Sequence, residues 1–218
     1  MARARDLHNW SDLGKGSVSV VRSALWKPPY GAAAGFSALK VAVKQPRIVK
    51  DQVSSSQNDL MRELDVSEAL PELPSIVRPF GTVLLKNDEQ RRYTLCLMTE
   101  LWEDGVLDQY LDGTYSVSLE FVGTVMRCLA EAVEGFSSVN LVHCDLSARN
   151  VVVSGVRVAG NTVTGLQRAG VIDMNLVRPS NTVLGDAQRK ARVRDYNPDD
   201  AVLTPRTDVY SVGERRTI

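Results

Sequence analysis

Charge of one sign is missing from this sequence. Its 26 Lys and Arg are matched by 26 Asp and Glu, and the formal net charge is zero. A chain without a basic excess exerts no long-range pull on nucleic acid or on an anionic membrane. Cysteine is scarce. Cys96, Cys128 and Cys144 are odd in number, widely spaced, and form no C-x-x-C pair. That argues against a disulfide framework or a zinc site and fits a reducing compartment. No apolar run approaches the roughly 20 residues a membrane-spanning helix needs. The opening "MARARDLHNW" has two Arg with no apolar stretch behind them, unlike a secretory leader. Internal repeats and long low-complexity tracts are also lacking. The expectation is a soluble cytoplasmic protein that binds no nucleic acid and spans no membrane.

What is present suits a globular chain of one or two domains. There are 218 residues, and 44% of them are hydrophobic, enough for a sizeable core. The first hundred residues read as strand-rich. "SVSVVRSAL", "LKVAVK" and "YTLCLMTE" alternate or run β-branched. "KPPYGAAAGFSALK" (27–40) is punctuated by Pro and Gly and reads as an irregular hairpin tip. "VSSSQN" (53–58) reads as a short polar loop. A helix is expected next, with Ser56 and Asp59 as a capping box, Leu60, Leu64 and Leu70 as its apolar stripe, and Pro71 ending it. A second helix is expected from Ser118, where Val122, Val125, Leu129, Val133 and Phe136 recur at helical spacing. Short strands follow in "VVVSGVRVAG" and "AGVIDM". The change of character near Glu100 to Asp104 places a lobe boundary there, giving lobes 1–101 and 102–218.

Several short stretches carry chemistry. In "LGKGSVSVV", Gly14 and Gly16 would let backbone N–H groups approach phosphate closely, although two glycines before a strand are often just a turn. Lys44 ends the strand "VAVK", where a lysine is commonly surface. A phosphate-neutralising lysine needs a carboxylate to orient it. Glu63 is the candidate, and Glu68 is its rival. "HCDLSARN" supplies Asp145, which can accept or orient a hydroxyl proton, and Asn150, whose oxygen can ligate Mg²⁺. Asp and Asn are also common turn residues. Asp173 in "VIDMN" adds a further oxygen at the end of a β-type run.

The order of these signals is more specific than any one of them. Gly-rich loop, strand Lys, helix Glu, H-x-D-x-x-x-x-N and strand-end Asp together resemble a eukaryotic-type protein kinase from about Leu13 to Gly213. The resemblance implies an α+β, two-lobed protein-kinase-like fold, with a β-rich N-lobe and a mostly helical, incomplete C-lobe. It implies ATP and Mg²⁺ as cofactors and a protein as substrate. Leu13, Gly14, Gly16, Val21, Ala42, Lys44, Thr99 and Glu100 would bind the nucleotide, with Thr99 as gatekeeper. Asp145, Lys44, Glu63 and Arg149 would be catalytic, and Asn150 and Asp173 would hold the metal. "TDVYSVG" (207–213) is similar to the start of the large lobe's central helix, with Asp208 as a buried anchor. "DLSARN" has Ser147 where serine/threonine kinases place Lys, and Arg149 where tyrosine kinases place Arg. It is therefore similar to the tyrosine-kinase form "DLAARN", and the hydroxyl expected to be phosphorylated is that of Tyr.

The sequence also departs from the family pattern. Ser19 replaces the third glycine of the loop. Cys144 replaces the Arg that in the family pairs with a phosphorylated activation loop, so activity is expected not to depend on a phosphate at Tyr196. Alternatively, Cys144 fills a small apolar space. "DMN" stands for D-F-G, keeping Asp173, with Met174 able to fill an apolar slot and Asn175 tolerant of left-handed backbone. "NPD" (197–199) stands for A-P-E, with Asp199 shorter than Glu. The connection between Asn150 and Asp173 is long, and "GVRVAGNTVTGLQ" is expected to form an extended hairpin. After "DVYSVG" the chain reads "ERRTI", which is expected to mark a truncated C-lobe or one that a partner covers. Two other readings remain: a pseudokinase or fragment acting as a binding module, and a small-molecule kinase of the aminoglycoside-phosphotransferase type.

Overall fold

The computed structural model describes residues 2–15, 19–27, 38–47, 53–87, 92–183 and 202–213. Gly16, most of the 27–40 hairpin tip, Tyr196, Asn197–Asp199 and Glu214–Arg216 lie outside the described residues. The chain divides into two compact units, Met1–Ser67 with Arg78–Leu101, and Glu68–Val77 with Trp102–Ile218. No helix among the described residues is long and apolar enough to cross a membrane.

The first unit is built on a six-stranded sheet. Its strands are β1 (Ala2–Arg3), β2 (Leu7–Lys15), β3 (Ser19–Trp26), β4 (Leu39–Pro46), β5 (Pro79–Asn87) and β6 (Arg92–Glu100). They lie in the order β1-β5-β6-β4-β3-β2. β3, β4 and β6 are the three strands expected from β-branched alternation. The pattern did not mark β2, because all of its residues after Leu7 are exposed and no apolar alternation is required of them. One face of the sheet buries Leu7, Ala24, Val41, Val43, Val83, Cys96 and Met98, with Trp26 and Leu85 packed against them. This alternate-residue face is what period-two patterning produces.

Helix α1 (Val53–Ala69) also belongs largely to this unit. Its range includes Ser56, which therefore falls within the helix and not at its start, and "VSSSQN" is helical and not a loop. Ser, Gln and Asn are only mildly unfavourable in a helix. The buried face carrying Leu60, Glu63 and Ser67 outweighs that local preference.

The second unit holds α2 (Leu119–Ser138) and α3 (Pro205–Gly213). Ser118 caps α2, its side chain accepting from the Phe121 N–H at 3.1 Å. Phe121, Val125, Leu129, Ala132 and Phe136 form the buried stripe, with Val122 and Val133 half-buried along its flank. A Cβ on Gly135 would stand 2.6 Å from Leu73 Cδ1, the end of a flexible side chain that would have to shift to admit it. Around α2 lie short strand pairs. β8 (Leu141–Val142) pairs with β13 (Arg178–Pro179), and β9 (Val151–Ser154) pairs with β12 (Arg168–Val171). The long connection forms the expected hairpin, β10 (Arg157–Ala159) with β11 (Thr162–Gly165). β11 also pairs in parallel with β7 (Ser116–Val117), directly before the α2 cap.

Candidate active site

Strand register explains why several expected nucleotide-binding residues share one surface. Residues directly opposite in antiparallel strands lie on the same face. Val21 is opposite Lys44, Lys44 is opposite Leu97, and Ala42 is opposite Thr99. Val21, Ala42, Lys44 and Thr99 therefore occupy one face, the reverse of the core face carrying Val41, Val43 and Met98. Glu100 is opposite Val41, so its side chain belongs to the other face. Its backbone carbonyl accepts from Thr99 Oγ1 at 3.3 Å. Leu13 sits at an irregularity in the β2–β3 ladder and is half exposed. Gly14 pairs with Val21, and a Cβ added to it would meet nothing within 4 Å. The open space leaves its backbone accessible to a ligand.

The choice between Glu63 and Glu68 is settled by geometry. Lys44 Nζ donates to Glu63 Oε2 at 2.7 Å, and both side chains are largely buried. Glu68 is exposed. The helix period places Glu63 on the buried stripe with Leu60 and Ser67, where it faces the Lys44 side of the sheet.

In the second unit, residues 143–150 form a tightly determined loop. The buried Asp208 carboxylate of α3 accepts from the His143 N–H at 2.7 Å and the Cys144 N–H at 2.9 Å. It thereby holds Cys144 at φ 68°, a left-handed conformation uncommon for a side-chain-bearing residue. The fully buried His143 ring accepts from the Asp145 N–H through Nδ1 at 3.3 Å. The proton then resides on Nε2, which donates to the Ile172 carbonyl at 3.2 Å. The ring thus ties the loop to the segment that carries Asp173.

Asn150 fixes the Asp145 carboxylate. Its Nδ2 donates to Asp145 Oδ2 and to the Asp145 carbonyl, both at 2.8 Å. With its nitrogen engaged, the amide leaves Oδ1 as the atom available to a cation. The Asn150 carbonyl accepts from the Ile172 N–H at 2.9 Å, which sets Asp173 beside the loop. Burial pushes the Asp145 carboxyl above its ordinary value, and the neighbouring negative charge of Asp173 pushes the same way. The Asn150 hydrogen bond, His143 and Arg149 oppose that rise. Arg149 itself is exposed.

Asp173 stands at φ 65°, ψ 74°, the left-handed region. Asn175 does not; the positive φ of this segment falls on Asp173, two residues before it. Met174 is buried, as expected for a residue filling an apolar slot. Arg178 was not foreseen. Its Nη1 donates to the Val177 carbonyl at 2.8 Å and the Asn175 carbonyl at 3.4 Å, bracing the turn after Asp173. A lone Arg after an apolar run carries no sequence signal for that role. Cys144 packs with Val142 and Leu203 in a small buried cluster, and its Sγ donates to the Val142 carbonyl. It fills an apolar space.

Among the described residues, no three His, Cys, Asp or Glu side chains converge as a metal cage. The oxygen donors here are a mixed set, Asp145, Asn150 and Asp173. Mg²⁺ keeps several waters and commonly takes one or two carboxylates plus substrate phosphates, so such a sparse hard-oxygen set fits it.

The family model for protein tyrosine and serine/threonine kinase matches residues 7–213. The chain belongs to that family: it is a protein kinase domain. Among its relatives, Ephrin type-B receptor 3 of Xenopus laevis is 35% identical over 98 residues, covering 44% of this chain and 9% of that protein. Ephrin type-B receptor 3 of Danio rerio is 33% identical over 129 residues, covering 56% and 25%. Non-receptor tyrosine-protein kinase TNK1 of Mus musculus is 30% identical over 171 residues, covering 77% and 22%. The chain thus corresponds to a quarter or less of the length of these relatives.

Proposed function

We propose that this domain transfers the γ-phosphoryl group of MgATP to a protein tyrosine hydroxyl. The observation that carries the reading is the Asp145–Asn150 pair. One amide fixes a partly buried carboxylate and keeps an oxygen free for a cation. In this reading Asp145 orients the acceptor hydroxyl and takes its proton. Asn150 and Asp173 hold the Mg²⁺, which would neutralise charge on the phosphates. Gly14 and Gly16 offer backbone N–H groups to the phosphates, and Lys44, oriented by Glu63, neutralises them. Val21, Ala42, Thr99 and the Glu100 backbone receive the base. The work of this set is positioning and charge stabilisation.

Tyrosine is favoured over serine or threonine by two residues. Ser147 is buried and uncharged where a lysine would stand beside the phosphoryl group in the other class, and Arg149 is exposed beside Asp145. The tyrosine-kinase relatives point the same way. Cys96, Cys128 and Cys144 are all free thiols, which supports a cytoplasmic, reducing environment for the domain.

The test is phosphate transfer from MgATP to matched peptides that differ in a single Tyr or Ser. Transfer to the Tyr peptide that disappears in Asp145→Asn is expected. Equal transfer by Asp145→Asn, or a preference for Ser, would overturn the corresponding part of the reading.

A further inference from the structure

The two edges of the first unit's sheet are joined by very little chain. β1 lies at one edge and β2 at the other. Laid flat, the five strand spacings between them would measure about 24 Å. Arg3 ends β1 and Leu7 begins β2, and that length of chain spans at most about 14 Å when fully extended. The sheet must therefore be rolled until its edges approach each other. A ring contact shows the same roll. β5 and β3 are three places apart in the strand order, yet the Phe80 and Trp26 rings they carry stack with centroids 6.4 Å apart.

Residues 2–7 bridge the seam. β1 pairs in parallel with β5, Ala2 opposite Val83 and Arg3 opposite Leu84. The Lys27 N–H, just beyond β3, donates to the Asp6 carbonyl at 2.8 Å. Leu7 is buried in the core of the sheet and pairs with Trp26. The Ala4–Asp6 turn is held in shape by the Arg3 N–H, which donates to Asp6 Oδ2 at 3.2 Å. Leu7, Trp26 and Lys27 form the base of the β2–β3 hairpin. Its far end carries Gly14 opposite Val21, two residues assigned above to the nucleotide. β2 is the edge strand and takes ladder bonds only from β3 among the described strands. What fixes the base of this hairpin therefore helps to aim its far end.

We propose that residues 2–7 are a tether that ties the base of the β2–β3 hairpin to β5 and thereby positions Gly14 and Val21 for nucleotide. This inference rests on the MgATP reading above. Release of the tether takes β1 from the β5 edge and the Asp6 acceptor from Lys27, and the sheet loosens along its seam. The hairpin then spends time in positions that do not hold phosphate. Apparent affinity for MgATP falls in proportion to the competent fraction lost. Turnover at saturating MgATP is kept, because bound nucleotide draws the hairpin back.

The test opens and locks the tether in the full chain. Arg3 is exposed, and Arg3→Pro removes the N–H that donates to Asp6 and disrupts β1. It should raise the KM for MgATP by about threefold or more at unchanged kcat, the change expected once about a third of molecules hold the hairpin in place. It should also speed iodoacetamide labelling of Cys96, in the core of the rolled sheet, and leave Cys144 of the second unit unchanged. Asp6→Ala, which removes the acceptor of the same bond, repeats the test should the proline variant not fold. Arg3→Cys with Leu84→Cys locks the tether. Both residues are exposed, and opposed strand positions lie about 4.8 Å apart, within the range a disulfide accepts. The oxidised pair should keep the parent's KM and label Cys96 no faster than the parent. Parental KM in both Arg3→Pro and Asp6→Ala, a raised KM in the oxidised pair, or equal acceleration at Cys96 and Cys144 overturns the inference. Failure of the MgATP reading looks different: the parent itself then transfers no phosphate from MgATP, and the coupling to nucleotide falls with it.

Discussion

At the scale of single residues, Asp145, the proposed base, costs the fold stability when it is ionised. Its pKa is raised in the folded chain, chiefly by burial. A carboxyl with a folded pKa above its unfolded value binds its proton more tightly when native. Stability from this group is therefore fully present below the ordinary value of 3.8 and is lost as pH rises through the folded pKa. At neutral pH the ionised Asp145 is a net cost to the fold. Asp145→Asn should thus raise the melting temperature at pH 7 and shrink that gain as the pH is lowered towards 4, while abolishing transfer. A lower melting temperature at pH 7 would show that the carboxylate is better solvated or paired than its surroundings indicate. For the same reason, the acidic limb of the kcat/KM profile should lie above the range of a free carboxylate.

At the scale of elements, sequence legibility followed the degree of burial. β4, β6 and α2 were legible because each buries one regular face, and periodicity is the trace of that face; β3 was legible from its β-branched run. β2 was not, because its exposed residues impose no pattern. The start of α1 was misread because polar residues resemble a loop when the packing that recruits them lies outside the segment. The site was legible in its residue types and order. The choice of Glu63 over Glu68 needed three-dimensional contact, and the Arg178 brace left no trace in the sequence. The activation segment makes the point testable. Backbone bonds run from the Asn181 N–H to the Leu203 carbonyl at 2.7 Å and from the Leu203 N–H to the Thr182 carbonyl at 2.9 Å. Leu203 is fully buried against Val142 and Cys144. An apolar clasp therefore stands where a phosphate-binding Arg would in the family pattern. Phosphorylating Tyr196 should leave turnover nearly unchanged, while Leu203→Ala should destabilise the fold by about 2–5 kcal/mol. A large rate gain on phosphorylating Tyr196 would show that another cation has taken over the role of the missing Arg.

At the scale of the whole molecule, the chain carries a reporter cysteine in each unit. Cys96 is in the core of the first, and burial pushes its thiol up to about 12. Cys144 is buried in the second. Cys128, on α2, is half-buried and serves as the more accessible control. The thiolate is the reactive form, so Cys96 should be alkylated only when its unit opens. Pulsed iodoacetamide labelling then measures the opening of each unit separately. A ligand at about a hundred times its Kd stabilises the state it binds by about 2.7 kcal/mol, which corresponds to roughly a hundredfold fewer openings. MgATP should therefore slow labelling of Cys96 and of Cys144. Lys44→Met should remove the protection of Cys96, because the lysine that would neutralise the phosphates is gone. It should also raise Cys96 labelling without nucleotide, since Glu63 loses its 2.7 Å partner in a largely buried setting. Asp173→Asn should remove the protection of Cys144. Protection of Cys144 that survives Asp173→Asn would mean that the nucleotide stabilises the second unit without the metal-binding carboxylate, and Asp173 would then lose its proposed place in the site.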